Sequence, residues 1–183
     1  MSMRIITAGC LLGLLSLLSI SCEDLGVKTE DQIWLEGEDV LVEFTIDPVD
    51  NAGYHLFKEE TFEANLDSLA ELYDFSIDRI ESVVLVGAEV EITGPGDALS
   101  LDYLDMLKIT IYTASLGEVT IAENLKIPDD VKKVELDVME GDLKDYLVSD
   151  EYVITVYGTL NSRTYQSQEL EARIKYKYSL ASQ

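Results

Sequence analysis

His55 is the only histidine in a chain that also holds 2 cysteines and 36 aspartates and glutamates. These are the residues from which acid–base, nucleophilic or metal chemistry would have to be built. A general base or a metal ligand works only with partners held at fixed geometry, and no second histidine is present to complete a relay or a zinc pair. His55 stands beside Tyr54 in a stretch read as a loop, so a surface or half-buried histidine is expected there. No Gly-x-Ser-x-Gly elbow, Gly-x-Gly-x-x-Gly turn or Gly-rich phosphate loop occurs. Two carboxylates about 5–9.5 Å apart would suit glycoside hydrolysis, but nothing marks out one pair among so many acids. Calcium needs about six to eight oxygen ligands. The loop clusters Asp47, Asp50 and Asn51, then Asp97, Asp102 and Asp105, then Asp129 and Asp130, fall short of such a set. No catalytic residue, metal ligand or cofactor is therefore assigned, and the chain is read as a non-enzyme.

The aromatic residues offer recognition rather than catalysis. There are 10 tyrosines and 1 tryptophan. Tyr112 and Tyr157 fall on the opposite strand phase from their apolar neighbours. Exposed tyrosines stack on sugar rings or contact protein partners, although tyrosine is also a favoured strand residue on either face. Trp34, between Ile33 and Leu35, is expected to pack at a domain edge.

The elements that must position these residues are mainly strands. Val40, Val42, Phe44 and Ile46 alternate with Leu41, Glu43 and Thr45, which gives one apolar face. Val84, Val86, Ala88, Val90 and Ile92 make a second run, with a bend or bulge expected near Gly87 and a break at Gly94-Pro95-Gly96-Asp97. Further runs are centred on Leu107 to Ile111, Val119 to Ala122, Val134 to Val138 and Tyr152 to Gly158. The clearest places Leu170, Ala172, Ile174, Tyr176 and Tyr178 against Glu171, Arg173, Lys175 and Lys177. One segment has the helical period: Phe62, Leu66, Leu69, Leu72 and Tyr73 predict an amphipathic helix over residues 58–75, entered by a loop at 48–58. Short helical turns are expected at 142–147 and near 99–104. About seven strands with clean alternation predict a mainly β fold. The expected form is an antiparallel two-layer β-sandwich, with the one amphipathic helix on an edge or open end.

The N-terminus carries an address. Arg4 precedes an uncharged run from Ile5 to Ser21 that is rich in leucine, and Cys22 follows. This is the layout of a secretory signal over residues 1–21; as a membrane span it would be at the short limit. The segment Leu18-Ser19-Ile20-Ser21-Cys22 resembles the lipobox of bacterial lipoproteins. Ser21 and Cys22 match that box, whereas Ser19 stands where leucine is usual. Boxes ending in Ser-Cys before acidic residues are similar to those of the Bacteroidota, and here Glu23 and Asp24 follow. The resemblance implies cleavage before Cys22, acylation of Cys22 and an outer-membrane position in the cell envelope, with surface exposure implied less directly. Several acyl chains hold a protein on a membrane where one alone is marginal. Residues 22–38 then read as an acidic tether and 39–183 as a single domain.

The formal net charge is -23. Phosphate backbones require clustered lysine and arginine, so nucleic acid is excluded as a partner. Residues 151–183 hold 3 acids and 4 bases, so the basic last strand is expected beside acidic neighbours. Together these readings give a lipid-anchored, non-enzymatic envelope protein. It would act as a binding or assembly module for an envelope protein or an extracellular ligand, with the membrane as partner through its acyl anchor. The alternatives are a carrier of a lipid or small hydrophobic ligand, and a carbohydrate-binding or hydrolysing surface protein.

Overall fold

The computed structural model describes residues 33–64, 66–94 and 100–181. The signal segment, Cys22 and most of the expected tether lie outside the described residues. Ten strands are present among the described residues: β1 (Ile33–Glu36), β2 (Val40–Ile46), β3 (Gly53–Glu63), β4 (Ile80–Ile92), β5 (Leu104–Thr113), β6 (Gly117–Asn124), β7 (Lys133–Glu135), β8 (Asp137–Val138), β9 (Glu151–Leu160) and β10 (Gln168–Leu180). Two short helices, α1 (Leu66–Tyr73) and α2 (Lys144–Leu147), join them.

The strands form two antiparallel sheets packed face to face, as the alternation predicts. In the first sheet, β10 lies between β4 and a broken edge made of β2 and β1 laid end to end, and β7 extends the far side of β4. The second sheet has the order β3-β9-β5-β6-β8. Alternate residues of β2 and β10 (Val42, Phe44 and Ile46; Ala172, Ile174 and Tyr176) meet Leu107, Ile109 and Ile111 of β5 and Ile154 and Val156 of β9 in one buried cluster. Each fully buried leucine or isoleucine there contributes about 1.5–3 kcal/mol.

The strand count exceeds seven for three local reasons, one of which is the strand β3. The run from Lys133 to Val138 divides between the sheets: β7 pairs with β4 and β8 with β6, and Leu136, buried, turns the corner between them. The β2 edge is also continued by β1, where Ile33 to Glu36 pair with Leu180 to Lys177. Ile33–Glu36 therefore belongs to the sheet and not to a tether reaching residue 38. The folded domain begins before residue 39, and Leu35 packs on the core.

Three expectations are corrected by packing. The helix expected over 58–75 is shorter. Residues 53–63, read as loop and helix, instead form the edge strand β3, paired with β9 along its length and bulged at Phe57. Its inward positions include Lys58 and Glu60 at the open margin of the sandwich, joined at 3.3 Å, so an apolar period of two never shows in the sequence. Only residues 66–73 are helical; Leu66 and Leu69 are buried and Leu72 is exposed. In β4 the bulge expected near Gly87 is present, at Val86, because Gly87 opposes Lys175 while Leu85 opposes Tyr176; what it overturns is the inward phase expected of Val84 and Val86. The phase flips there, so Val83 and Leu85 face inward above it and Ala88 and Val90 below it, with Val86 exposed. Of the helical turn expected near 99–104, the described residues 100–104 form a hydrogen-bonded turn instead, Leu104 N–H to the Leu101 carbonyl at 2.8 Å.

The basic residues of β10 do meet acids. Arg173 lies within 4.0 Å of Glu89 and 3.9 Å of Asp39 and donates to Glu171 at 3.0 Å, while Lys177 reaches Glu36 at 3.7 Å. Lys133 joins Glu89 at 2.8 Å, and that hydrogen bond holds the Glu89 carboxyl below its ordinary range. These three cations are thus spent on the outer face of the first sheet and its edge.

Candidate ligand-binding face

The outer face of the second sheet is assembled from residues that sit opposite one another across four strands. On β9, Val153, Thr155 and Tyr157 take the outward phase between the inward Ile154 and Val156, although Thr155 is itself buried. Leu56 of β3 and Lys108 of β5 flank Tyr157 in register, Glu59 and Thr110 flank Thr155, and Thr61 and Tyr112 flank Val153. Glu118 of β6 opposes Tyr112. An outer sheet face ordinarily presents polar side chains to water. Here Tyr54 is 53% exposed, Leu56 55% and Tyr112 41%, which makes the face aromatic and apolar.

Its side chains hold each other in place. The Tyr54 and Tyr157 rings stack at 5.4 Å with 14° between their planes. The Lys108 ammonium lies 5.3 Å from the Tyr54 ring centre and 5.0 Å from that of Tyr157, within the range of a cation–π contact. Glu118 Oε1 accepts from the Thr110 hydroxyl at 2.7 Å and from the Tyr157 hydroxyl at 3.1 Å. Loss of hydration, and then the hydrogen bond to Glu118, raise the Tyr157 phenol above its ordinary range. Between Tyr112 and Tyr157 lies a depression of about 250 Å³, lined also by Val153, Thr155, Glu59 and Glu118.

Tyr112 and Tyr157, the two off-phase tyrosines of the sequence, are brought together at this depression. Glu59 and Glu118 of the depression, and Tyr54, Leu56 and Lys108 of the face around it, are not legible in the sequence as its neighbours. Three of them lie on β3, whose strand character the sequence hid, and the others join only through cross-strand register.

The remaining sequence candidates lie elsewhere. His55 is half-buried on β3, its Nε2 3.3 Å from the Asn51 carbonyl and its ring stacked 6.4 Å from Phe57. Asp47 accepts from Ser167 through Oδ1 and from the Thr164 hydroxyl through its carbonyl, which fastens the loop between β9 and β10. Asp102 Oδ1 accepts from the Asp130 N–H at 2.6 Å and ties two loops together, whereas Asp97 lies outside the described residues. Among the described residues, no group of three or more His, Cys, Asp or Glu is placed to hold a metal ion. Trp34 lies on the edge strand β1, 45% exposed.

A second concavity, about 230 Å³, opens at the end of the sandwich between α1 and β2. It is lined by Leu41, Phe62, Leu66, Leu69, Leu72 and Tyr178 among others. Among the described residues, no helix is long and apolar enough to cross a membrane. No protein-family model matches the chain, and no curated protein matches its sequence.

Proposed function

We propose that this chain is a lipid-anchored, non-enzymatic binding module of a bacterial cell envelope. In this reading Cys22 carries the acyl anchor, the acidic residues after it give reach, and the outer face of the second sheet receives an envelope protein or an extracellular ligand. The observation that carries the binding role is the exposure of Tyr54, Leu56 and Tyr112 on one sheet face. Exposed aromatic and apolar side chains gathered on one face are a feature of interaction sites, and tyrosine is enriched where binding energy is concentrated. The anchor is supported by the run from Leu18 to Cys22 and by the apolar-to-acidic junction at Cys22.

Two measurements on the full chain in a lipoprotein-processing bacterium test the two halves. Labelled palmitate is expected on the native chain in the membrane fraction. Cys22→Ala is expected to lose both the label and the membrane association; a labelled, membrane-bound Cys22→Ala would end the anchor reading. A photo-crosslinking residue placed at Tyr112 is expected to capture a discrete partner, and one at Val86, on the opposite outer face, is not. Equal capture from both positions would remove the role assigned to this face.

A further inference from the structure

We infer that the depression between Tyr112 and Tyr157 is a subsite for an organic cation, an alkylammonium or guanidinium group borne by the ligand that this face receives. The inference rests on the binding-module reading and names the chemistry of that module's ligand. The depression measures about 250 Å³, smaller than the roughly 300–1,000 Å³ of pockets that enclose whole drug-sized ligands. It fits a head group or the end of one side chain. Thr155 and Val153 form its floor, the two tyrosines stand beside it, and Glu59 and Glu118 reach it from β3 and β6.

The two carboxylates at the site form no ion pair, although the Lys108 ammonium stands near by over the Tyr157 ring. Among the described residues no cation pairs with Glu59 or Glu118, whereas Glu89 and Glu171 of the other sheet are both paired. Glu118 is also set in advance. Both of its hydroxyl donors bind Oε1, which leaves Oε2 open to a charge-assisted bond. The tyrosines supply the second element of recognition, since a cation is attracted to the face of an aromatic ring. The molecule already displays that preference in Lys108, whose ammonium sits over Tyr54 and Tyr157 and which does not line the depression. A neutral sugar would use the rings and donate hydroxyls to the two carboxylates, but would leave their charge uncompensated. An anion would meet the repulsion of a chain with net charge -23.

The test is an NMR titration of the full chain, held in detergent, with three probes: agmatine as a free cation, an Arg-Lys-Arg-Gly peptide as a side-chain cation, and methyl glucoside as a neutral sugar. Saturable shifts at Tyr112, Glu118, Thr155 and Tyr157 with agmatine or the peptide are expected, and the tighter of the two identifies the source. Glu118→Gln keeps an acceptor oxygen for Thr110 and Tyr157, so the fold is retained, as an unchanged amide spectrum will verify. It is expected to weaken cation binding roughly tenfold, the loss of one charged hydrogen-bond partner. Absence of saturable cation binding, or unchanged affinity in Glu118→Gln, overturns the inference. Shifts with methyl glucoside alone overturn the cation and preserve the binding face. Crosslinking from Tyr112 that persists without cation binding separates failure of this inference from failure of the broader reading.

Discussion

Tyr176 is 2% exposed in the middle of β10, and its hydroxyl has no hydrogen-bond partner among the described residues. Leaving a buried hydroxyl unsatisfied costs about 1–3 kcal/mol, whereas its ring contributes through packing. Tyr176→Phe removes the first and keeps the second, so it is expected to stabilise the domain by about 1 kcal/mol, read from chemical denaturation near pH 8. Burial also raises the Tyr176 phenol well above its ordinary value of 10.0 and pushes Tyr152 up to about 12. The folded state then holds these protons more tightly than the unfolded chain. The associated stability is complete below the unfolded value of 10.0 and is lost as pH climbs toward the folded values. Melting temperature measured from pH 8 upward is expected to fall beyond pH 10, and to fall less steeply in Tyr176→Phe. A variant that melts below the native chain at pH 8 would show that the hydroxyl has a partner after all.

The edge strand β3 is held by a gap in its neighbour. Gly158 lies on the inward phase of β9, opposite His55, and an added Cβ would collide with the Phe57 ring and lie 3.0 Å from the Met106 carbonyl. Phe57, the extra residue of the β3 bulge, fills that gap and stacks 6.1 Å from Phe44 of the facing sheet. Gly158→Ala forces the ring out of the core, and overpacking of this kind costs about 1–3 kcal/mol. The loss is expected to appear in hydrogen exchange first at the β3 amides, because β3 pairs on one side only. Uniform loss of protection across both sheets would mean that the glycine serves the whole core instead. This dependence on a distant residue also marks the limit of what the sequence discloses. β2, β9 and β10 are legible because each buries one face fully and its alternation is unbroken. β3 is not, because its inward positions at the margin hold Lys58 and Glu60. Its strand character comes from pairing with β9, far downstream. The phase of β4 before Gly87 is lost for a similar reason: one inserted residue at Val86 exchanges the faces, and the glycine signals a bulge without fixing where it falls. The candidate site was half legible, since strand phase singles out Tyr112 and Tyr157. Cross-strand register, which no local pattern contains, brings Glu59, Lys108 and Glu118 beside them.

Across the whole molecule, 36 acids face 13 bases, and a cluster of ion pairs forms on one surface. Arg173, Lys133 and Lys177 join acids on the outer face of the first sheet and its edge, so the surplus negative charge weighs on the remainder, including the aromatic face of the second sheet. Two opposing effects follow from added salt. Screening weakens the exposed ion pairs, each worth little when its members are in water, and it also weakens the mutual repulsion of the unpaired carboxylates. The numbers decide between them: 13 bases cannot match 36 acids one to one, so relief of repulsion dominates. Raising ionic strength from about 0.01 M to about 0.1 M shortens the screening length from about 30 Å to about 10 Å, enough to uncouple carboxylates on opposite flanks of the sandwich. The melting temperature is therefore expected to rise over that interval at pH 7. The same salt is expected to weaken the binding of agmatine at the depression, because attraction to the carboxylates is screened equally. A fall in melting temperature with salt would mean that the ion pairs of the first sheet outweigh the surplus charge, and the stabilising role would pass to the Arg173 and Lys133 contacts.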